Sequence, residues 1–546
     1  MMDFRQILFA VFGSIGVFVA SAGQRPMALM VFFDGGRADC LENADCPNLH
    51  RLMDGTWAEG YHGAWSLSAC NNLDMPTYSY GNHASLFCGV SAAKHGVQYN
   101  CQAGKGNYAR WPSWMTRLLN ARPKLKAAAA FFDGTDAKIA PDDRVSVYLG
   151  KNAAMRLIDD YRGPMAPDVA CFFHDEPDGS GHQHGYYPSS SQYLAAFSAA
   201  DRELGKVLDA IANRPTFKDE DWLVTFVTDH GGRARMHGVR DGHCHTIPLV
   251  LAGRRVAQGE LVGRPRIYDL PVTLLAHFGV ETAKMQLDGY VIGKQVLAPS
   301  RAKLADGLVC YVPFDGRVRY GTDVSPNAIK NSSIFAHPVG DLQYFNTGLT
   351  DRQSPSPNSM WLDGIDEPVG VCLDGSELVI ADRSRGFTVS FWMRKYLNPQ
   401  SEGETVIAGN RDLRKNGPGF VLRYNLKTPR FPPGVGLEYR DANGQPHIVG
   451  AFLQEEGQWN YYAVTCRPDG VVMFYQGRSD GKLHWMADQA VGVSLASGLP
   501  FHLGQDGTGT YLRGGHGGFD ELKLWNRALT LSDVRLDFQS VKSVTK

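Results

Sequence analysis

Two textures of apolar and polar positions divide this chain. Through residues 25–298, short apolar runs alternate with stretches of helical spacing. "MALMVFF" (27–33), "PDVACFF" (167–173), "DWLVTFVT" (221–228) and "TIPLVLAG" (246–253) read as strands buried on both faces. Between the second and third, "SQYLAAFSAADRELGKVLDAIANRP" carries apolar residues at helical spacing, opens on serines and stops before Pro215. Alternating strands and helices predict an α/β domain with a mostly parallel sheet. The texture changes in "VLAPSRAKLADG", around residues 297–306. Beyond it come short alternating runs such as "GFTVSFWMRK" and "NYYAVTCRPDGVVMFYQG", separated by Gly, Asp, Asn and Pro. That pattern predicts an all-β sandwich. The expected layout is an α/β domain over 25–298, a linker over 299–306 and a sandwich over 307–540.

The first residues form a third texture. Arg5 precedes an apolar run from Ile7 to Ala20, and Ala20-Ser21-Ala22 offers a small-x-small cleavage site. The run is shorter than the about 20 residues a membrane span needs, so a cleavable signal peptide over 1–22 is expected. The mature chain is then secreted or periplasmic, with no transmembrane segment.

Composition adds little to this picture. The 546 residues are 43% hydrophobic with a formal net charge of -1. No basic excess points to nucleic acid and no acidic excess to a disordered tail. The 10 cysteines begin at Cys40. In an exported chain that even number permits disulfides, with Cys40 near Cys46 and Cys70 and Cys101 flanking one segment. No CxxC is present, which argues against a thiolate zinc site.

The chemistry collects where strands end. Ligands of open parallel sheets bind outside the carboxyl ends of the strands. The first strand ends in Asp34 ("VFFDGGRAD"), the second runs into Asp178 and His182 ("DEPDGSGHQHG"), and the third ends in Asp229-His230 ("VTDHGG"). His237 follows in "RMHGVRDGH". A single acid after a strand is usually a helix cap, but three such endings with Asp and His together point to metal. Imidazole and carboxylate ligands without cysteine suit zinc, with manganese as a replacement. Asp34, Asp178, His182, Asp229, His230 and His237 are enough for two divalent ions, and such a pair suits in-line phosphoryl displacement. His174, His184, His243 and His245 remain as surface or supporting residues. A nucleophile is expected from "MPTYSYGNHASLFCG", where Thr77 and Ser79 precede an apolar helical stretch. A hydroxyl at a helix N-terminus meets free N–H groups that favour phosphate, although either residue could be a simple N-cap.

Taken in order, "FFDGGRAD", "CPNLHRLMDGTWAEG", "PTYSYGNHASLFCG", "KHGVQYN", "DEPDGSGHQHG", "VTDHGG" and "MHGVRDGHCHTIPLVLAG" resemble the alkaline phosphatase superfamily. The nearer resemblance is to its type I phosphodiesterase/nucleotide pyrophosphatase branch, over roughly residues 27–295. The resemblance implies one ion on Asp34, Asp229 and His230, and another on Asp178, His182 and His237. It implies Ser79 as nucleophile, where the family more often has Thr, and Thr77 stays open as an alternative. His243 and His245 stay open beside His237. Asn100 falls where the family has an Asn donating to a phosphoryl oxygen, the role of an oxyanion stabiliser. No Cys-x-Pro-Ser-Arg motif is present, which counts against a sulfatase.

"ADGLVCYVPFDG", "GFTVSFWM", "GQWNYYAVTCRPDGVVMFYQG" and "GGFDELKLWNRALTLSDVR" resemble a laminin-G-like, concanavalin A-type jelly roll. That resemblance implies a glycan or extracellular partner and a structural calcium ion near Asp315 and Asp520. The resulting expectation is an exported, two-metal phosphoric-ester hydrolase, acting on diesters through a phosphoseryl intermediate. Its substrate would be free or carried on a glycan or lipid. Tyr78, Tyr80, Tyr186 and Tyr187 border the motifs as an apolar wall for a leaving group. Arg37 or Lys94 would instead meet the extra charge of a monoester. A phosphomonoesterase, a phosphoethanolamine-type transferase on the same site, and an extracellular binding protein working through the sandwich are the competing readings. Every candidate catalytic residue precedes Pro299, so a chain cut there is expected to fold and keep activity.

Overall fold

The computed structural model describes residues 24–139, 142–239 and 242–297. Beyond them it describes residues 303–312, 334–336, 343–346, 358–362, 371–373, 376–395, 405–425, 434–440, 445–453, 458–489, 495–511 and 517–542. The expected signal peptide and Asp315 lie outside the described residues, as does part of the expected linker.

The first domain is built on one eight-stranded sheet. Its strands are β1 (Arg25–Phe33), β2 (His62–Cys70), β3 (Ala127–Phe131), β4 (Val145–Leu149), β5 (Val169–His174), β6 (Glu220–Thr228), β7 (Thr246–Gly253) and β8 (Gly259–Glu260). Their order is β4-β3-β5-β1-β6-β7-β2-β8. β1 lies at the centre, parallel to both β5 and β6. The sheet turns antiparallel at β7, which pairs β6 on one side and β2 on the other. β8 runs parallel to β2, so β7 alone is reversed and the sheet is mostly parallel, as expected.

Met27 to Phe33 have no exposed surface. Alternate side chains enter opposite cores, as the strand period of two requires. Leu29, Val31 and Phe33 pack with Leu204 and Val207 of helix Ser191–Ala212. Ala28, Met30 and Phe32 pack with Leu86, Phe87 and Leu274 on the other side. Ser190 caps the long helix, its side chain accepting from the Tyr193 N–H, as its opening serines foretold.

Register decides where function can sit. Phe33 pairs with His174 of β5 and with Thr228 of β6, so three strands end level. Asp34 and Asp229 follow two of those ends directly. The Asp34 N–H donates to the His174 carbonyl at 2.9 Å. Asp178 opens helix Asp178–His184 just beyond the third.

Among the described residues, the second domain has two antiparallel sheets, of seven and eight strands, facing each other as a jelly-roll sandwich. Phe391, Phe420, Phe474, Phe501 and Leu522 fill the space between them. The outward face of the eight-stranded sheet is also apolar. Trp392, Trp459, Tyr461, Tyr475 and Trp485 join Val534 and Phe538 of helix Leu531–Lys542 and the core beneath β1 in one continuous cluster. Ion pairs ring this contact, including Arg467–Glu260 at 3.0 Å and Arg264–Asp488 at 3.3 Å. The two textures of the sequence are thus two sheet systems that share a core. A chain ending near Pro299 would expose that face.

Cys40, Cys46, Cys70 and Cys101 form no disulfides, so the suggested pairings do not form. Cys40, Cys46 and Cys70 are buried and serve as small apolar core residues. Cys101 is exposed.

Candidate metal centre and nucleophile

Three loops bring Asp34, Asp178, Asp229, His230 and His237 together. The turn after β1 needs Gly35, whose φ is +69° and where a Cβ would meet the Asp178 backbone. Its N–H donates to Asp229 Oδ1 at 3.0 Å. His230 Nε2 lies 3.2 Å from Asp34 Oδ1, 3.3 Å from Asp229 Oδ2 and 4.0 Å from Asp178 Oδ1. The His237 ring stacks on His230 with centroids 3.8 Å apart, and its Nε2 is 3.8 Å from Asp178 Oδ1. Two groups with metal-ligand spacing result, Asp34–Asp229–His230 and Asp178–His230–His237. His182 sits at the rim, its Nε2 3.4 Å from Asp178 Oδ2 and its ring 5.0 Å from that of His237.

The histidine tautomers follow from their partners. A carbonyl oxygen only accepts, so each nitrogen facing one must carry the proton. His230 Nδ1 faces the Gly231 carbonyl at 2.7 Å, His237 Nδ1 that of Thr77 at 2.9 Å, and His182 Nδ1 that of Arg235 at 3.0 Å. In the neutral tautomer each Nε2 therefore turns a lone pair toward carboxylate oxygens. Acceptors facing acceptors need a cation between them, and this is the orientation that second partners impose on metal-binding histidines. Buried Asp229 Oδ2 lies between two imidazole rings, 3.2 Å from His83 Nε2 and 3.3 Å from His230 Nε2.

Without an ion, protons fill this role. Burial, with Asp229 and Asp178 nearby, raises the Asp34 carboxyl well above its usual range. Burial also opposes charge on Asp229, but His230 and the His83 hydrogen bond hold it at about 2. His230, despite burial, is held at about 10 by Asp229 and Asp34. Burial and then His230 lower His237 to about 4.

Ser79 begins helix Ser79–Cys88, and its Oγ is 3.2 Å from His230 Nε2 and 3.5 Å from Asp34 Oδ1. Thr77 is employed differently. Its hydroxyl donates to the Val239 carbonyl and accepts from the Gly238 N–H, while its own carbonyl takes the proton of His237. Thr77 clamps the His237 loop, and Ser79 faces the cluster. Asn100 lies beside the same helix start, accepting the Tyr80 N–H at 3.2 Å. Of the alternative histidines, His243 packs on Phe452 and His245 Nδ1 lies 2.6 Å from Asn71 Oδ1.

Other expectations need correction. Tyr186 is fully buried and its hydroxyl donates to Asp178 Oδ1, so it orients a candidate ligand and lines no substrate wall. Arg37 is buried against Asp39 and the Tyr186 carbonyl, and Lys94 pairs with Asp288. These contacts give both cations structural roles away from the cluster.

His83 went unassigned in the sequence reading. It is fully buried, with Nδ1 2.8 Å from Asp136 Oδ1 and Nε2 3.2 Å from Asp229 Oδ2. The signal was available: His83 stands four residues after Ser79, on the same helical face. Asn71 was also missed. Its buried amide donates to the Asp229 carbonyl at 2.9 Å and the Cys244 carbonyl at 3.1 Å.

Parts of the chain are similar to known protein families. Residues 28–240 match the type I phosphodiesterase / nucleotide pyrophosphatase family, and residues 371–535 the concanavalin A-like lectin/glucanases superfamily. A venom phosphodiesterase of Naja atra is 27% identical over 239 residues, covering 39% of this chain and 26% of that protein. The Bis(5'-adenosyl)-triphosphatase ENPP4 of Homo sapiens is 24% identical over 237 residues, covering 39% of this chain and 49% of its own. The chain thus spans about a quarter to a half of the length of these relatives. Among solved structures, murine ectonucleotide pyrophosphatase / phosphodiesterase 5 in complex with AMP has a TM-score of 0.37 at 16% identity, covering 47% of this chain and 96% of its own. Among the described residues, no helix is long and apolar enough to cross a membrane.

Proposed function

We propose, from the premise that the N-terminal domain belongs to the type I phosphodiesterase / nucleotide pyrophosphatase family of the alkaline phosphatase superfamily, that this chain is an exported metal-dependent hydrolase of phosphoric diesters. One observation carries the reading. His182, His230 and His237 each have Nδ1 bonded to a carbonyl and Nε2 turned to carboxylates, with the Ser79 hydroxyl beside them.

In this reading Asp34, Asp229 and His230 hold one divalent ion, and Asp178, His182 and His237 the other. Zinc suits these ligands, and manganese is an accepted replacement. A bound pair of ions would supply Lewis-acid stabilisation of the entering and leaving oxygens.

The chain's own residues do the rest. Ser79 Oγ bonds to phosphorus as the bond to the leaving alcohol breaks, giving a phosphoseryl intermediate and the free alcohol. Water then cleaves the Oγ–P bond, releasing the phosphomonoester and restoring Ser79. The positive end of helix Ser79–Cys88 favours the phosphoryl charge. Asn100, anchored through its oxygen on Tyr80, has its amide N–H groups left to meet a phosphoryl oxygen. Tyr78 and the exposed Tyr99, with centroids 5.5 Å apart, form a wall for the alcohol. A glycan ligand and a calcium ion near Asp520 belong to the same proposal for the jelly roll.

The test is a panel on purified protein: a bis-aryl phosphodiester, an aryl phosphomonoester and an aryl sulfate, each before and after chelation. Preferential, chelator-sensitive cleavage of the diester is expected. Equal or better cleavage of the monoester, or cleavage that survives complete metal removal, would overturn it. Adding an alcohol acceptor and finding only hydrolysis products separates hydrolase from transferase.

A further inference from the structure

The short segment Gly242–His245 lies between the jelly roll and the candidate metal centre. On its outer side this segment packs on two strands of the second domain, Pro446–Leu453 and Leu483–Gln489. The fit at Gly242 leaves no room for a side chain, because a Cβ there would run into the Val449 carbonyl. The His243 ring meets Phe452 edge-on at 5.2 Å. Just beyond, Thr246 Oγ1 accepts from the Ala487 N–H at 3.3 Å, and Trp485 Nε1 donates to the Leu67 carbonyl at 3.3 Å.

On its inner side the same segment holds the ligand loop. The Gly231 N–H donates to the Cys244 carbonyl at 3.0 Å. Asn71 bridges that carbonyl to the Asp229 carbonyl, and its own oxygen is fixed by His245. Gly231 is as crowded as Gly242, since a Cβ would strike the His243 carbonyl. Gly231, next to His230, is therefore one hydrogen bond from this segment, and Asp229 is two, through Asn71.

We propose that the jelly roll is a positioning element for the metal centre: Phe452 and Val449 set the place of Gly242–His245, and that segment sets Asp229 and His230. The inference rests on the metal-centre reading above. It gives the second domain a role independent of any ligand it binds. Such support matters because ligand atoms displaced by a fraction of an ångström lose metal affinity, and partners outside the ligand set typically contribute 10–100-fold.

The test compares two equal truncations in the full chain, Phe452→Leu at the contact and Phe501→Leu in the sandwich core. Both residues are buried, and Phe501 packs on Phe420, away from Gly242–His245. Zinc affinity is measured by competition with a chromophoric chelator, at a temperature where circular dichroism shows each variant fully folded. Phe452→Leu should weaken zinc binding about tenfold, whereas Phe501→Leu should lower the melting temperature and leave affinity unchanged. Equal affinities in both variants, with zinc bound normally by the parent chain, would overturn the positioning role. A parent chain that binds no zinc would instead overturn the metal-centre reading itself. Should Phe452→Leu not fold, Phe452→Met serves in its place, with the same outcomes.

Discussion

Two buried polar clusters, one in each domain, are built on opposite rules. In the jelly roll, Asp537 Oδ1 takes Lys523 Nζ at 2.8 Å, and its Oδ2 takes the hydroxyls of Ser390 and Tyr461, each at 2.8 Å. Every contact pairs a donor with an acceptor. At the ends of β1, β5 and β6 the lone pairs of His182, His230 and His237 face the carboxylates of Asp34, Asp178 and Asp229. The first cluster is complete and pins helix Leu531–Lys542 to its sheet. The second is complete only when metal ions or extra protons stand between its groups, an arrangement that stability alone would not retain. Burial of polar groups is thus a poor marker of function, whereas unsatisfied complementarity is a good one.

The largest test strikes the incomplete cluster. Ser79→Ala should reduce turnover by several powers of ten, since the two-step covalent path is lost, while metal content stays unchanged. Ser79→Thr should keep substantial activity because it supplies the same oxygen. Acid quench during turnover, followed by peptide mapping, should find phosphate on Ser79. Phosphate on Thr77 would contradict the geometry that commits its hydroxyl to Gly238 and Val239.

Cutting the chain near Pro299 comes next. Trp392, Trp459, Tyr461 and Trp485 share one core with the first domain, so their removal bares an apolar face well beyond what a soluble domain tolerates. The fragment should aggregate or melt far below the full chain in a thermal scan, contrary to what the position of its catalytic residues alone led us to expect. A soluble, active fragment would show that the shared core is dispensable.

The same chemical change should then have opposite signs in the two clusters. Asp537→Asn leaves Lys523 buried without its main counter-charge and should cost about 3–5 kcal/mol in urea unfolding. Asp34→Asn in metal-free protein removes a carboxyl that burial and two neighbouring carboxylates disfavour. It should be neutral or stabilising by up to about 1 kcal/mol there, while the metal-loaded variant loses activity. A large loss of stability at Asp34 would mean that its cluster is structural after all.

How much of this was legible follows from which residues advertise themselves. β1, β5, β6 and β7 were readable because wholly apolar runs end in polar breakers, and the ligands were readable because those ends coincide. β3 was not, since "AAAAF" has weak strand propensity and is a strand only because its neighbours bury it. β4 and β2 are flanking strands with mixed polarity and gave no clear run. His83 was hidden by treating the nucleophile's helix as a cap and not as a face. The use of the sandwich's outer face was illegible, because alternation marks which residues are buried but not against what.

The smallest test lies just outside the metal centre, at a buried histidine that is fully satisfied. His95 Nδ1 accepts the Val97 N–H at 3.1 Å, and its Nε2 lies 2.9 Å from Ser85 Oγ. A ring whose Nδ1 accepts must be neutral, with its proton on Nε2. Burial accordingly lowers its pKa to about 4, against an ordinary value near 6.5. The unfolded chain therefore binds this proton at a higher pH than the folded one. The contribution is fully present above about pH 6.5 and is lost as pH falls from there toward 4, at up to about 1.4 kcal/mol per pH unit for one proton. His95→Gln cannot titrate, so its unfolding free energy should lose one proton's worth of slope over that interval, whatever its offset at neutral pH. Urea unfolding of chelated protein in steps between pH 4.5 and 7.5 measures both curves. Parallel curves would show that His95 takes its proton freely in the folded state, and that a histidine satisfied by the backbone is no more resistant to charge than one facing carboxylates.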